Sequence, residues 1–177
     1  MTICYKLTNA SGKSHGETQW GENVTHVATG NGMAFCSPDL IHLYSHPLLA
    51  VFLNPIHANF NNPLLWEAEA EIVASDNGLK LGAKRVTTLR RIPLPTVTTE
   101  QRVRFAILCA LAVYEETKFK KWAEGWLANT DRTAETAWAT AMSARATAEA
   151  WATAMSARAR AAKPLDLVAL AQQAVAE

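Results

Sequence analysis

Residues 65–91, LWEAEAEIVASDNGLKLGAKRVTTLRR, read as two strands joined at an Asn-Gly pair, and that reading decides the fold class. Trp66, Ala68, Ala70 and Ile72 take every second position from Leu65 to Ala74, with Glu67, Glu69 and Glu71 between them. A strand sends such positions to opposite faces, one apolar and one acidic. Asn77 and Gly78, preceded by Ser75 and Asp76, suit a tight turn because both tolerate positive φ. The return strand is expected from Leu79 to about Arg91. With Asn77 and Gly78 central, Glu71 falls opposite Lys84, a pair that tunes register, and Pro93 and Pro95 end the sheet.

Just upstream, residues 36–72 hold three of the five histidines, one of the three cysteines and four of the seven prolines. Ser37, Pro38 and Asp39 have the chemistry of a helix start, namely a capping hydroxyl, a proline tolerated in the first turn and an acid at the positive end of the dipole. A short helix is expected from Pro38 to about Ser45. Pro47 then forces a break or a re-start, a second apolar turn runs from Leu48 to Leu53 and stops before Pro55, and Asn59, Asn61, Asn62 and Pro63 form a loop. On such a helix His42 and His46 share a face, and with Cys36 and His57 they would suit a borderline ion such as zinc. No glutamate lies inside the pair as in the zincin pattern, and Pro47 distorts the backbone at His46. The preferred reading is therefore structural, with histidines bridging backbone groups across a crowded turn and with neither metal nor cofactor bound.

Toward the N-terminus, Thr2 to Thr8 alternates as a first strand, and Asn9 to Gly21 is a long polar loop. Trp20, in the Gly-bounded GETQWG, either closes over a ligand as a flap or plugs the edge of the core, and the plug is preferred because loop aromatics usually pack. Val24 to Thr29 is expected as a second strand, Gly30 to Gly32 as its turn, and Met33 to Cys36 as a short third strand.

In this order, a YK strand, Cys36 before a His-bearing turn, HPLLAVFLNP, WEAEAEI and the return GLKLGAKRVTTLRRI, the first hundred or so residues resemble an uncharacterised domain family of phage and bacterial proteins. That resemblance implies a small β-rich module, a downstream Ala-rich tail and a phage setting, and it implies no activity. The chain departs from the family pattern after the cysteine, where Asp39, Leu40, Ile41 and His42 replace Gly-x-His.

Thr98 and Gln101 form a capping box for a long helix over 98–128, with Val103, Ile107, Ala110, Leu111, Tyr114 and Phe119 along its apolar stripe. Asn129 to Asp131 break it. Beyond, AWATAMSARA at Ala137–Ala146 recurs letter for letter at Ala150–Ala159. A helix is expected from about Thr133 to Ala162, since alanine is the best helix former and neither Gly nor Pro intervenes. Trp138 and Met142, and again Trp151 and Met155, lie one turn apart, and the repeat length turns the second stripe roughly 140° from the first. Pro164 opens a last amphipathic helix with Leu165, Val168, Leu170, Ala171 and Val175 on its buried side.

The expected architecture is thus α+β. A small antiparallel β-rich module with short helices (1–95) and the buried helix over 98–128 make a globular domain 1–131, followed by an Ala-rich helical tail over 132–177. At 177 residues and 49% hydrophobic the chain can bury a core. A net charge of +1 disfavours an electrostatic nucleic-acid binder and a polybasic membrane protein. The first residues lack a signal-peptide core, no run is long enough to span a membrane, and three widely spaced cysteines form no disulfide framework, so a cytoplasmic protein is expected. The dinucleotide, P-loop and nucleophile-elbow motifs are missing.

Two functions follow as expectations. The first is a non-enzymatic interaction or assembly protein, a homo-oligomer or binder of a partner helix through residues 133–162, with Trp138, Met142, Trp151 and Met155 as anchors. The second is a small-ligand or nucleotide-binding module that captures a signal molecule, with Trp20 stacking and Arg85, Arg90 and Arg91 contacting an anion. An enzyme of unrecognised type is the third and least favoured reading.

Overall fold

The Asn-Gly turn forms as its residues require. In the computed structural model, which describes residues 1–114, 117–130, 132 and 165–176, Asn77 and Gly78 have φ of 47° and 82°, and the Leu79 amide donates to the Asp76 carbonyl at 2.8 Å. This is a type I′ turn, whose twist matches that of the strands it joins. The strands are β4 (Leu64–Ser75) and β5 (Leu81–Ile92). Register shifts at Glu67/Ala68, Ala70/Ile72 and Ile72/Ala74 bend them, as bulges do. One consequence corrects the expected Glu71–Lys84 pair: Ala70 pairs with Val86 and Ile72 with Ala83, so Glu71 alone faces both Lys84 and Arg85.

Around this hairpin the sheet is wholly antiparallel. Strand β1 (Thr2–Thr8) lies beside β4, while β2 (Val24–Val27) and β3 (Ile41–Leu43) share the far edge of β5. Beyond β3, Tyr44 and Tyr5 exchange both backbone hydrogen bonds at 2.9 Å. The sheet therefore curls back onto its first strand as a small barrel, which removes the open edge of β1 at that point. Inside lie Cys4, Leu43, Ala68, Ala70, Ala83 and Val86, packed around Trp20. The three alanines leave the volume that the indole occupies.

Several expected boundaries change. The helix over Pro38–Ser45 is replaced by β3, since Ile41 to Leu43 pair with Ala83 to Leu81 instead of coiling. Ser37 and Asp39 spend their polar groups inside the preceding loop, and Met33 to Cys36 are turn and coil in place of a strand. The second strand ends at Val27, two residues early. Helix α1 (Pro47–His57) is a re-start at Pro47, longer than the expected Leu48–Leu53 turn, with Pro47 in its first turn, where no donor is missed, and His46 as N-cap accepting from the Leu48 amide. It runs through Pro55, which lies in the last turn and costs one backbone bond there.

By contacts the chain divides into two compact units, residues 1–97 with 166–172, and residues 98–165 with 173–177. In the second unit, the helix expected over 98–128 is two helices, α2 (Thr99–Leu111) and α3 (Thr117–Leu127), with Ala112 to Tyr114 non-helical between them. The capping box is present, with Gln101 N to Thr98 Oγ1 at 3.1 Å and Thr98 N to Gln101 Oε1 at 2.9 Å. Ile107, Ala110, Phe119, Ala123 and Trp126 form the core there. Arg132 stacks on Trp126 at 4.3 Å and bonds Glu100 at 2.7 Å, joining the end of α3 to the start of α2. Helix α4 (Leu167–Val175) is capped by Asp166 and buries Leu167, Ala171 and Ala174. The Ala-rich repeat lies outside the described residues. Among the described residues no helix is long and apolar enough to cross a membrane.

Because Trp20 is 3% exposed and fills the barrel, Trp20→Ala should destabilise the protein by about 3–5 kcal/mol. Denaturant unfolding followed by circular dichroism would measure this, and a loss below about 1 kcal/mol would contradict a filling role.

Candidate functional site

Chemistry gathers at one end of the barrel, where residues 30–40 arch over β3 and the β4–β5 turn. This arch is tied by two side chains. The Asp39 carboxylate accepts from the amides of Gly32 at 3.1 Å and Ala34 at 3.2 Å, which hold its pKa below the ordinary value, the Gly32 bond contributing most. The Lys84 ammonium donates to the carbonyls of Gly30 at 3.2 Å and Asp39 at 2.9 Å, and to that of Gly32. A Cβ on Gly30 would lie 2.1 Å from Asp39 Oδ1 and 2.8 Å from its backbone nitrogen, so only glycine lets the arch close.

The arch presents Phe35 and Cys36. Cys36 is exposed, adopts φ of 60°, and donates its amide to His42 Nε2 at 3.2 Å. An acceptor nitrogen must be unprotonated, so His42 is the neutral Nδ1–H tautomer. Its pKa is pushed down to about 4, chiefly by burial and next by the charges of Lys80 and Lys6. Lys80 Nζ lies 3.3 Å from Cys36 Sγ, 3.9 Å from Asp76 Oδ2 and 5.4 Å from the centre of the Phe35 ring. An anionic sulfur on Cys36 would thus meet an ammonium.

Below the arch, Lys6 points into the barrel. Its Nζ donates to the His42 carbonyl at 3.0 Å and sits over the Trp20 ring at 5.1 Å. Burial pushes its pKa down to about 8. His57 stacks on Tyr44, with Nδ1 3.3 Å from the phenol oxygen. Burial lowers the pKa of His57 and raises that of Tyr44 to about 12.

The four residues considered as metal ligands have separate positions. His42 is on β3 and His46 caps α1, so the two do not share a helical face. His46 Nδ1 accepts from the Leu48 amide at 3.2 Å, and His57 lies at the end of α1. Among the described residues no three of His, Cys, Asp and Glu are grouped to hold a metal ion.

The residues considered for a small ligand are also apart. Trp20 is inside the barrel, with Nε1 donating to Ser14 Oγ at 2.9 Å. Val86 and Ala68 point inward, so their neighbours Arg85 and Glu67 point outward, and Arg90 goes with Glu67, which it holds in two bonds of 3.1 and 3.0 Å. Arg91 instead borders a shallow groove of about 330 Å³ with Pro63, Leu64, Leu65, Ile92, Pro93 and Leu94. Trp138, Met142, Trp151 and Met155 lie outside the described residues.

The sequence singled out neither Lys6 nor Lys80, and it gave Asp39 and Lys84 only as a helix start and a register pair. The signal for Lys6 was its place in alternation with Cys4 and Thr8, the inward positions of β1. No family model, curated protein or solved structure matches this chain.

Two outcomes are expected. Gly30→Ala should cost about 1–3 kcal/mol in unfolding free energy, the range for forced overpacking, and an unchanged midpoint would contradict the clash. For Lys6, the unfolded amine near 10.5 holds its proton to higher pH than the folded amine near 8. The ionisation penalty is therefore complete below the folded pKa and is relieved as pH rises from about 8 to 10.5. Lys6→Met should be more stable than wild type at pH 7 by about 1–3 kcal/mol, with the gap closing across that window. Parallel stability curves would contradict it.

Proposed function

We propose that this chain is a non-enzymatic interaction protein: a barrel-centred α+β module that assembles with further copies of itself, or with a partner helix, through residues 133–162. The observation that carries the choice is the filled barrel. A barrel that binds a small molecule keeps its interior for the ligand, whereas Trp20 occupies this one and is locked there by Ser14 and by the loop bond from its amide to Gly12 at 2.8 Å. The self-association part rests on the repeated AWATAMSARA, whose Trp and Met side chains are typical contact anchors.

A second reading, a small-ligand module, is favoured by one feature alone, the groove beside Arg91. Its size lies at the small end of ligand sites, and its lining joins apolar residues to a single cation. An apolar molecule with an acidic group is the class it suits.

Light scattering with size-exclusion chromatography on the full chain separates the readings. A wild-type oligomer that falls apart in Trp138→Ala/Trp151→Ala is the expected result. A monomeric wild type, stabilised by an alkyl carboxylate but not when Arg91→Ala is present, would transfer the conclusion to the groove.

A further inference from the structure

We propose that Cys36 and Lys80 form a covalent bond on exposure to hydrogen peroxide, a redox latch between the 30–40 arch and the β4–β5 hairpin. The pair is set apart from the other thiols. Cys4 and Cys109 are buried, and burial pushes both up to about 12, which keeps them as unreactive thiols. Cys36 is exposed, and the nitrogen 3.3 Å from its sulfur belongs to a primary amine 44 residues away in sequence.

Both partners are held in place. The Cys36 amide is bonded to His42 Nε2, while Asp39 and Lys84 tie down the arch that carries it. Lys80 has a side chain only 11% exposed, lies over Phe35, and has the Asp76 carboxylate at 3.9 Å. Little search is needed to bring nitrogen and sulfur together, which is the condition for an efficient intramolecular reaction.

The chemistry has two balanced steps. The thiol sulfur attacks one peroxide oxygen, the O–O bond breaks, and sulfenic acid and one water form; sulfur loses two electrons and peroxide gains them. The Lys80 ammonium first gives one proton to the Asp76 carboxylate or to solvent, and the free amine nitrogen then attacks that sulfur. An S–N bond forms, the S–OH bond breaks, and the hydroxyl takes a second proton from the same nitrogen and leaves as a second water. The product is a sulfenamide, the species that sulfenic acids give with backbone nitrogen, here made with a side-chain amine. One added thiol attacks the sulfur, freeing the Lys80 amine and leaving a mixed disulfide on Cys36, and a second thiol displaces the Cys36 thiol from it, the two added thiols ending as a disulfide. When closed, the latch holds the arch covalently to the hairpin.

The test treats the full-length protein with hydrogen peroxide and maps peptides by mass spectrometry without reductant. Expected is a loss of two hydrogen atoms per chain, a linked peptide pair containing Cys36 and Lys80, loss of Cys36 alkylation, and recovery of all three with dithiothreitol. Lys80→Arg keeps the cation beside Asp76 but lacks a primary amine, so there Cys36 should gain oxygen atoms and no linked peptide should form. Cys36→Ser should show neither change. Oxygen addition at wild-type Cys36 without a linked peptide, or a disulfide between two chains, would overturn the proposal, and because wild-type mapping decides it, the outcome does not depend on the folding of any variant.

Discussion

A closed antiparallel sheet encloses a volume that must be filled, because a void forfeits dispersion contacts and is not compensated elsewhere. Here the strands contribute mainly small residues to that volume, Cys4, Ala68, Ala70 and Ala83, and an indole from a loop supplies the rest. Closure and filling depend on each other. Without Trp20 the alanine-lined interior would be hollow, and without the Tyr5–Tyr44 bridge there would be no enclosed interior for it to fill. The order of residues 9–20 follows from the same constraint, since Asn9 caps the amides of Ser11 and Lys13, and Gln19 clasps the Ser11 and Trp20 carbonyls, to hold the loop in a path that delivers Trp20.

Filling also decides where polar chemistry can occur. The remaining interior polar groups are few and each is bonded: Thr8 to the Trp66 indole, Thr88 to the Gly21 carbonyl, Lys6 to the His42 carbonyl. Lys6 is the costly member, for a buried ammonium over an aromatic face recovers only part of its lost hydration. Its charge, with that of Lys80, reaches His42 and favours the neutral imidazole already imposed by burial. The barrel end is therefore basic, with His42 as a neutral hydrogen-bond acceptor and with Cys36 as an exposed thiol.

How much of this was legible can be traced residue by residue. The hairpin was, because alternation and the Asn-Gly pair act within a few residues of each other. The capping box was, for the same reason. The placing of His42 was not: Ser37-Pro38-Asp39 is a sound helix start locally, and it lost to the free edge of β5, where pairing Ile41 to Leu43 satisfies backbone groups on both strands. The single helix expected over 98–128 is instead α2, ending at Leu111, and α3, starting at Thr117, with Phe119 and Trp126 packed in one core with Ile107 and Ala110.

By itself, then, the sequence determined what neighbours along the chain can decide: the α+β class, the main hairpin with its turn, the cap of α2, and the apolar character of the elements. Only the tertiary structure decided which loop fills the barrel, that Lys6 faces inward, that Glu71 shares Lys84 and Arg85 at a bulge, and that Cys36 meets Lys80. Each of these sets residues far apart in sequence against one another, and the energy that selects them, burial and pairing within a closed sheet, exists only once the strands have come together.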